Sequence, residues 1–123
     1  MEITYIHEPT DLQCGQAVLA MVLGKTPEEI CRILGNDRET CLREMKSLLT
    51  ENGVAVSQER RPFTHKEELP ELALLSLETP RCWHWSLYFR GKFYDPEHGV
   101  SQELTACSRR YFWELSQSPL TEC

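Results

Sequence analysis

Cysteine, histidine and aspartate together make a nucleophile, its base and the group that orients the base. The sequence carries one of each in suitable places. Cys14 stands just before the apolar segment Ala17 to Leu23, at the expected start of a helix. There, unpaired backbone amides and the positive end of the helix dipole favour a thiolate. His84 opens one short aromatic run, His84 to Phe89, and Asp95 closes the next, Phe93-Tyr94; Arg90-Gly91-Lys92 between them reads as a hairpin turn. The two arms of a hairpin are neighbours, so His84 and Asp95 are expected roughly opposite one another, within reach for the carboxylate to orient the imidazole. Taken singly, a cysteine on a buried helix is usually a small hydrophobe, and an aspartate before proline is usually a turn residue. The conjunction selects them: all three fall at element ends, and Gly15 beside the nucleophile would let the backbone approach a substrate closely.

Other residues are weaker candidates. Cys82-Trp83-His84 offers two donor types but no second pair at zinc spacing, so neither a metal nor any other cofactor is expected. His98 is a second choice as base and reads as a solvated turn residue. Trp83 and Trp85 flank His84 on a strand and should point to the opposite face or lie beside the cleft, where either is a candidate to line the substrate site. Cys31, Cys41 and Cys107 read as packing residues, and Cys123 as an exposed thiol in the tail.

The elements that position these residues are legible from caps and periodicity. A first helix, nearly apolar all round and therefore buried, runs from about Cys14 to Gly24, with Thr10 and Asp11 as sources of capping oxygens. Thr26-Pro27-Glu28-Glu29 is a capping box with proline at the first helical position, and predicts a helix to about Leu34, closed by Gly35. A third helix, about Glu39 to Glu51, places Leu42, Met45, Leu48 and Leu49 on one face and ends at Asn52-Gly53. Beyond it the pattern changes to strands: Val54 to Val56, a polar connection from Ser57 to Pro70, and the apolar run Leu72 to Leu77, interrupted only by Ser76, which should be covered on both faces. Leu104 to Leu115 reads as a helix carrying Tyr111, Phe112 and Trp113 against the core, with an edge strand as the alternative. The expectation is one α+β domain over residues 1–123: helices over about 10–53, antiparallel sheet over about 54–100, and a C-terminal segment over 101–123.

With 41% hydrophobic residues the chain has enough apolar side chains for one packed core. Thirteen basic residues against 19 acidic give a net charge of -6, which argues against a nucleic-acid partner. The N-terminal residues have no secretory pattern and no apolar run is long enough to span a membrane, so a cytoplasmic protein with six reduced cysteines and no membrane partner is expected.

Two segments resemble a known family. Residues 9–24, Pro-Thr-Asp-Leu-Gln-Cys-Gly-Gln-Ala-Val-Leu-Ala-Met-Val-Leu-Gly, resemble the nucleophile segment of papain-like cysteine peptidases. They are nearest the branch holding the double-glycine leader peptidase domains of bacteriocin exporters and their stand-alone relatives. His84-Trp85, followed by Asp95-Pro96-Glu97-His98-Gly99, resembles that branch's second motif. The resemblance runs from about Tyr5 to Gly99. It implies a minimal papain-like fold with Cys14 as nucleophile, His84 as general base and then acid, and Asp95 as orienter. The implied function is cleavage of a peptide or isopeptide bond. Deamidation of a side chain or acyl transfer, as in toxins and effectors delivered into other cells, would use the same residues. A non-catalytic peptide-binding module is the rival from another class. In so small a domain the substrate is expected to be a peptide or protein segment, presented by a larger partner.

The family's glutamine six residues before the nucleophile, an oxyanion donor, is replaced here by Glu8. An ionised glutamate has no proton to donate and repels the developing charge. Three consequences stay open: Glu8 is protonated through burial, Gln13 donates beside the Cys14 backbone N–H, or the enzyme is weak or inert.

Overall fold

The computed structural model describes residues 2–117; Cys123 lies outside them. Three helices come first, α1 (Cys14–Leu23), α2 (Pro27–Leu34) and α3 (Leu42–Glu51). The strands follow: β1 (Val54–Val56), β2 (Arg61–Pro62), β3 (Leu72–Glu78), β4 (Trp83–Phe89), β5 (Lys92–Asp95), β6 (Gly99–Ser101) and β7 (Arg110–Gln117), with a 3-10 turn at Lys66–Glu68. All pairings are antiparallel, in the order β1-β7-β3-β4-β5-β6, with β2 also on β7. The expected α+β class, helices packed on a C-terminal sheet, is the observed one.

Local chemistry sets the helix ends. The Thr26 hydroxyl accepts from the Glu29 amide at 3.1 Å while the Glu29 carboxylate accepts from the Thr26 amide at 2.9 Å. Helix α3 begins later than expected, with Cys41 as its N-cap and the Cys41 amide donating to Glu44 at 3.0 Å. Cys41 is therefore exposed rather than a packing residue, whereas Cys31 and Cys107 are half-buried. Thr10 and Asp11 do not cap α1. They form a turn in which the Gln13 amide donates to the Thr10 carbonyl at 3.1 Å, and Gln13 becomes an N-cap without a side-chain bond.

The alternation of β3 explains its apolar run, which is interrupted only by Ser76. Leu72 and Leu74 join α1, α3, Leu87 and Phe89 in one core, while Ala73, Leu75 and Leu77 join Phe63, Tyr88, Phe93 and Phe112 in a second. The connection carrying Phe63 and Leu69 and the segment carrying Leu104 and Cys107 cover that second face.

The C-terminal segment is neither a helix nor an edge. β7 is an interior strand between β1 and β3, with Trp113 opposite Leu74 and Phe112 opposite Leu75. Trp113 and Leu115 enter the helix-side core and Phe112 the other. That period of two, carried by residues of high strand propensity, outweighs a helical reading. Trp113 packs on Trp85 with ring centroids 5.8 Å apart.

Candidate active site

The β4–β5 turn is shorter than expected. Phe89 pairs with Lys92, so only Arg90 and Gly91 form the loop, both with positive φ, 47° and 88°, as a two-residue hairpin of this hand requires. The shorter turn shifts the register. Leu87 faces Tyr94, so the next step places Ser86, not His84, across from Asp95. His84 lies two residues further on the same side of the strand and reaches Asp95 diagonally, Nε2 to Oδ1 at 2.9 Å, while the Ser86 hydroxyl donates to Oδ2 at 3.1 Å.

Asp95 is tightly held. Besides His84 and Ser86 it accepts the backbone amides of Glu97 at 2.9 Å and His98 at 3.1 Å, and the Thr105 hydroxyl at 3.4 Å. This is what Asp-Pro-Glu-His-Gly does: the carboxylate collects the amides of its own turn, and Gly99, at φ 94°, brings the chain back against Asp95 as β6. His84 and Asp95 are 5% and 3% exposed, so the pair is shielded from water. Burial opposes the charged imidazole, but the hydrogen bond and charge of Asp95, together with the Cys14 sulfur, push His84 up to about 10. Burial likewise works against the Asp95 carboxylate and is outweighed by His84, the Glu97 amide and Ser86, which leave it below its ordinary value.

Cys14 enters from the other layer. It is the first residue of α1, whose opening amides have no intrahelical acceptor. Its sulfur, a ring nitrogen of His84 and a carboxylate oxygen of Glu8 all lie within 4.8 Å of one another. With Nε2 bound to Asp95, Nδ1 is the nitrogen left for the sulfur. Glu8 is held there by its backbone amide, which donates to the Pro96 carbonyl at 2.9 Å; nearby, the Tyr5 hydroxyl donates to the Asp95 carbonyl at 2.6 Å. The Glu8 side chain is buried, at 7% exposure, and Oε1 has no hydrogen-bond partner among the described residues. Burial pushes the Glu8 carboxyl up, the charges of Glu97 and Asp95 add to this, and His84 opposes it.

Cys14 and His84 open onto a cleft of about 320 Å³ lined also by Thr40, Cys82, Trp83 and Trp85. Both tryptophans thus lie beside the cleft; Trp83 is 47% exposed and Trp85 donates to the Thr40 carbonyl at 3.2 Å. Gly15 is packed closely within the fold itself. What approaches it is not open space but the Thr40 side chain and the Trp85 ring, and a methyl group there would land on the Thr40 hydroxyl. Gln13 turns away, donating to the Asp37 carbonyl at 2.9 Å. His98 stays near the surface, its ring centroid 6.4 Å from that of His84.

Sequence reasoning missed Ser86, Thr40 and Gln16. Ser86 had a signal, since it lies two residues from His84 on the same side of one strand. Gln16 is fully buried and its amide donates to the Arg38 carbonyl at 2.6 Å and to Asn36 at 3.3 Å, fastening the cleft-lining loop to α1. Among known proteins, no family model and no curated protein matches the chain.

Proposed function

We propose that the protein is a papain-like thiol acyl hydrolase that cleaves a peptide or isopeptide bond. The observation that carries this reading is the water-shielded Asp95–His84 hydrogen bond, with the free imidazole nitrogen toward a sulfur at a helix start. The α+β fold and the two sequence motifs support it. In this reading the Cys14 sulfur attacks the carbonyl carbon and its proton passes to His84 Nδ1. His84 then protonates the leaving amine, and water resolves the acyl-enzyme with His84 acting as base. Asp95 holds the ring in the tautomer with hydrogen on Nε2 and stabilises the imidazolium.

The oxyanion in this reading is met by the Cys14 backbone amide and by Glu8 in its neutral form, which carries one O–H donor. The buried, unpartnered Glu8 carboxyl favours this role over Gln13, whose amide is engaged with Asp37. The cleft is at the small end for a ligand site and admits a short extended segment of a larger polypeptide. Deamidation or transfer to an amine would proceed through the same acyl-enzyme.

The test is incubation of the protein with a peptide library and with a peptide aldehyde, followed by intact-mass analysis. A covalent adduct on Cys14, absent in Cys14→Ala and His84→Ala, together with cleaved or deamidated products, is the expected result. Bound but unmodified peptide, with no adduct, would make the cleft a binding module instead.

A further inference from the structure

Glu8 changes what the Cys14–His84 pair can hold. Sulfur, imidazole and carboxylate are the three donor types that bind zinc, and here they converge from three parts of the chain, the N-terminal segment, the start of α1 and β4. We propose that Glu8, Cys14 and His84 form a site for a single Zn²⁺-class cation, with the fourth position open to water, and that metal binding and thiol chemistry exclude one another at Cys14.

Three observations carry the proposal. The three donor atoms lie within 4.8 Å of one another, whereas ligands on a tetrahedral zinc sit about 3.3–3.6 Å apart, given bonds of about 2.0–2.3 Å. The widest separation therefore has to close by no more than about an ångström. The second observation is the Glu8 Oε1 atom, buried and without a hydrogen-bond partner among the described residues, an arrangement that costs free energy unless a ligand meets it. The third is the Asp95 carboxylate on His84 Nε2 at 2.9 Å. A histidine bound to a metal through one nitrogen is regularly fixed by a carboxylate on the other, so the imidazole is already oriented with Nδ1 toward the site.

A glutamine at position 8 would present a neutral amide and leave only a thiol and an imidazole. Glutamate supplies an anionic oxygen of the hardness zinc accepts alongside sulfur and nitrogen. The bound cation would occupy the sulfur lone pair that otherwise attacks a carbonyl, so the loaded protein is not a thiol nucleophile and a chelator restores it. The proposal stands on the donor geometry and not on the hydrolase reading, because binding is measured without a substrate.

The experiment uses the full chain with Cys41, Cys82 and Cys123 replaced by serine, which removes the two exposed thiols and the one near the C-terminus. Co²⁺ is added as a spectroscopic probe and then displaced with Zn²⁺. One equivalent of Co²⁺ should produce a thiolate-to-metal charge-transfer band and intense tetrahedral d–d bands, both lost in Cys14→Ser. Glu8→Gln, which keeps the shape of the side chain, should weaken Zn²⁺ binding by at least about tenfold. Absence of the thiolate band would overturn the proposal, and so would equal Zn²⁺ affinity in Glu8→Gln, which would reduce the site to a Cys14–His84 pair.

Discussion

Replacing Glu8 by glutamine tests the oxyanion assignment quantitatively. A carboxyl group donates a hydrogen bond only while protonated. Glu8 is pushed above its ordinary value, chiefly by burial, so the wild type has its donor at low pH and loses it as pH rises through that raised value. Above it, the donor-competent fraction falls about tenfold per pH unit. One oxyanion donor is worth about 10²–10³ in kcat, so the loss should level off at that depth, where the Cys14 amide acts alone. In Glu8→Gln the side-chain N–H donates at every pH. The variant-to-wild-type ratio of kcat/KM, measured from about pH 4 to about pH 9 on one peptide substrate, should therefore climb about tenfold per unit and then plateau near 10²–10³. A ratio that stays flat with pH, or a variant slower at every pH, would refute the assignment of Glu8 as the second donor.

Other outcomes follow from the same contacts. Gly15→Ala should lose about 1–3 kcal/mol in urea unfolding, because the new methyl group overlaps the Thr40 hydroxyl, and Thr40→Ala should recover much of it; unchanged stability in Gly15→Ala would contradict the packing. Thr26→Ala should cost about 1 kcal/mol through the lost cap of α2, measured the same way. The melting temperature should fall at both pH extremes. Asp95 lies below its ordinary 3.8, so its contribution is lost as pH drops through the depressed value, and Asp95→Asn should flatten that limb. His84 is raised from 6.5 to about 10, so its contribution is full below the ordinary value and is lost as pH rises through the raised one, with Glu8 adding a loss in the same direction.

Much of this architecture is legible in the residue order because its signals are local. The Thr26-Pro27-Glu28-Glu29 cap, the glycine stops at Gly24 and Gly35 and the apolar run Leu72 to Leu77 each announce an element within a few residues. What was not legible depends on partners distant in the chain. The strand identity of Arg110–Gln117 follows from ladders to β3 and β1, more than 30 residues away, and a run of three aromatics does not by itself disclose them. The pairing of His84 with Asp95 was expected, but its register was not. A three-residue loop at Arg90-Gly91-Lys92 would set Leu87 across from Asp95; Arg90 and Gly91, both at positive φ, close the turn in two residues and set Ser86 there, which leaves His84 diagonal to Asp95 on the same side of the strand. The Glu8 site was invisible as a donor set because its members are separated by 6 and 70 residues and only the fold gathers them.

The central claim, that Cys14 is a nucleophile activated by His84, is tested most directly by the order in which the thiols react. Cys14 is 8% exposed, whereas Cys41 and Cys82 are exposed. Exposure alone would have iodoacetamide label Cys41 and Cys82 first. Activation reverses this order: at about pH 6, site-resolved mass spectrometry should find Cys14 alkylated ahead of both, with the advantage abolished in His84→Ala. Labelling that follows exposure, with Cys14 slowest and indifferent to the loss of His84, would contradict the account.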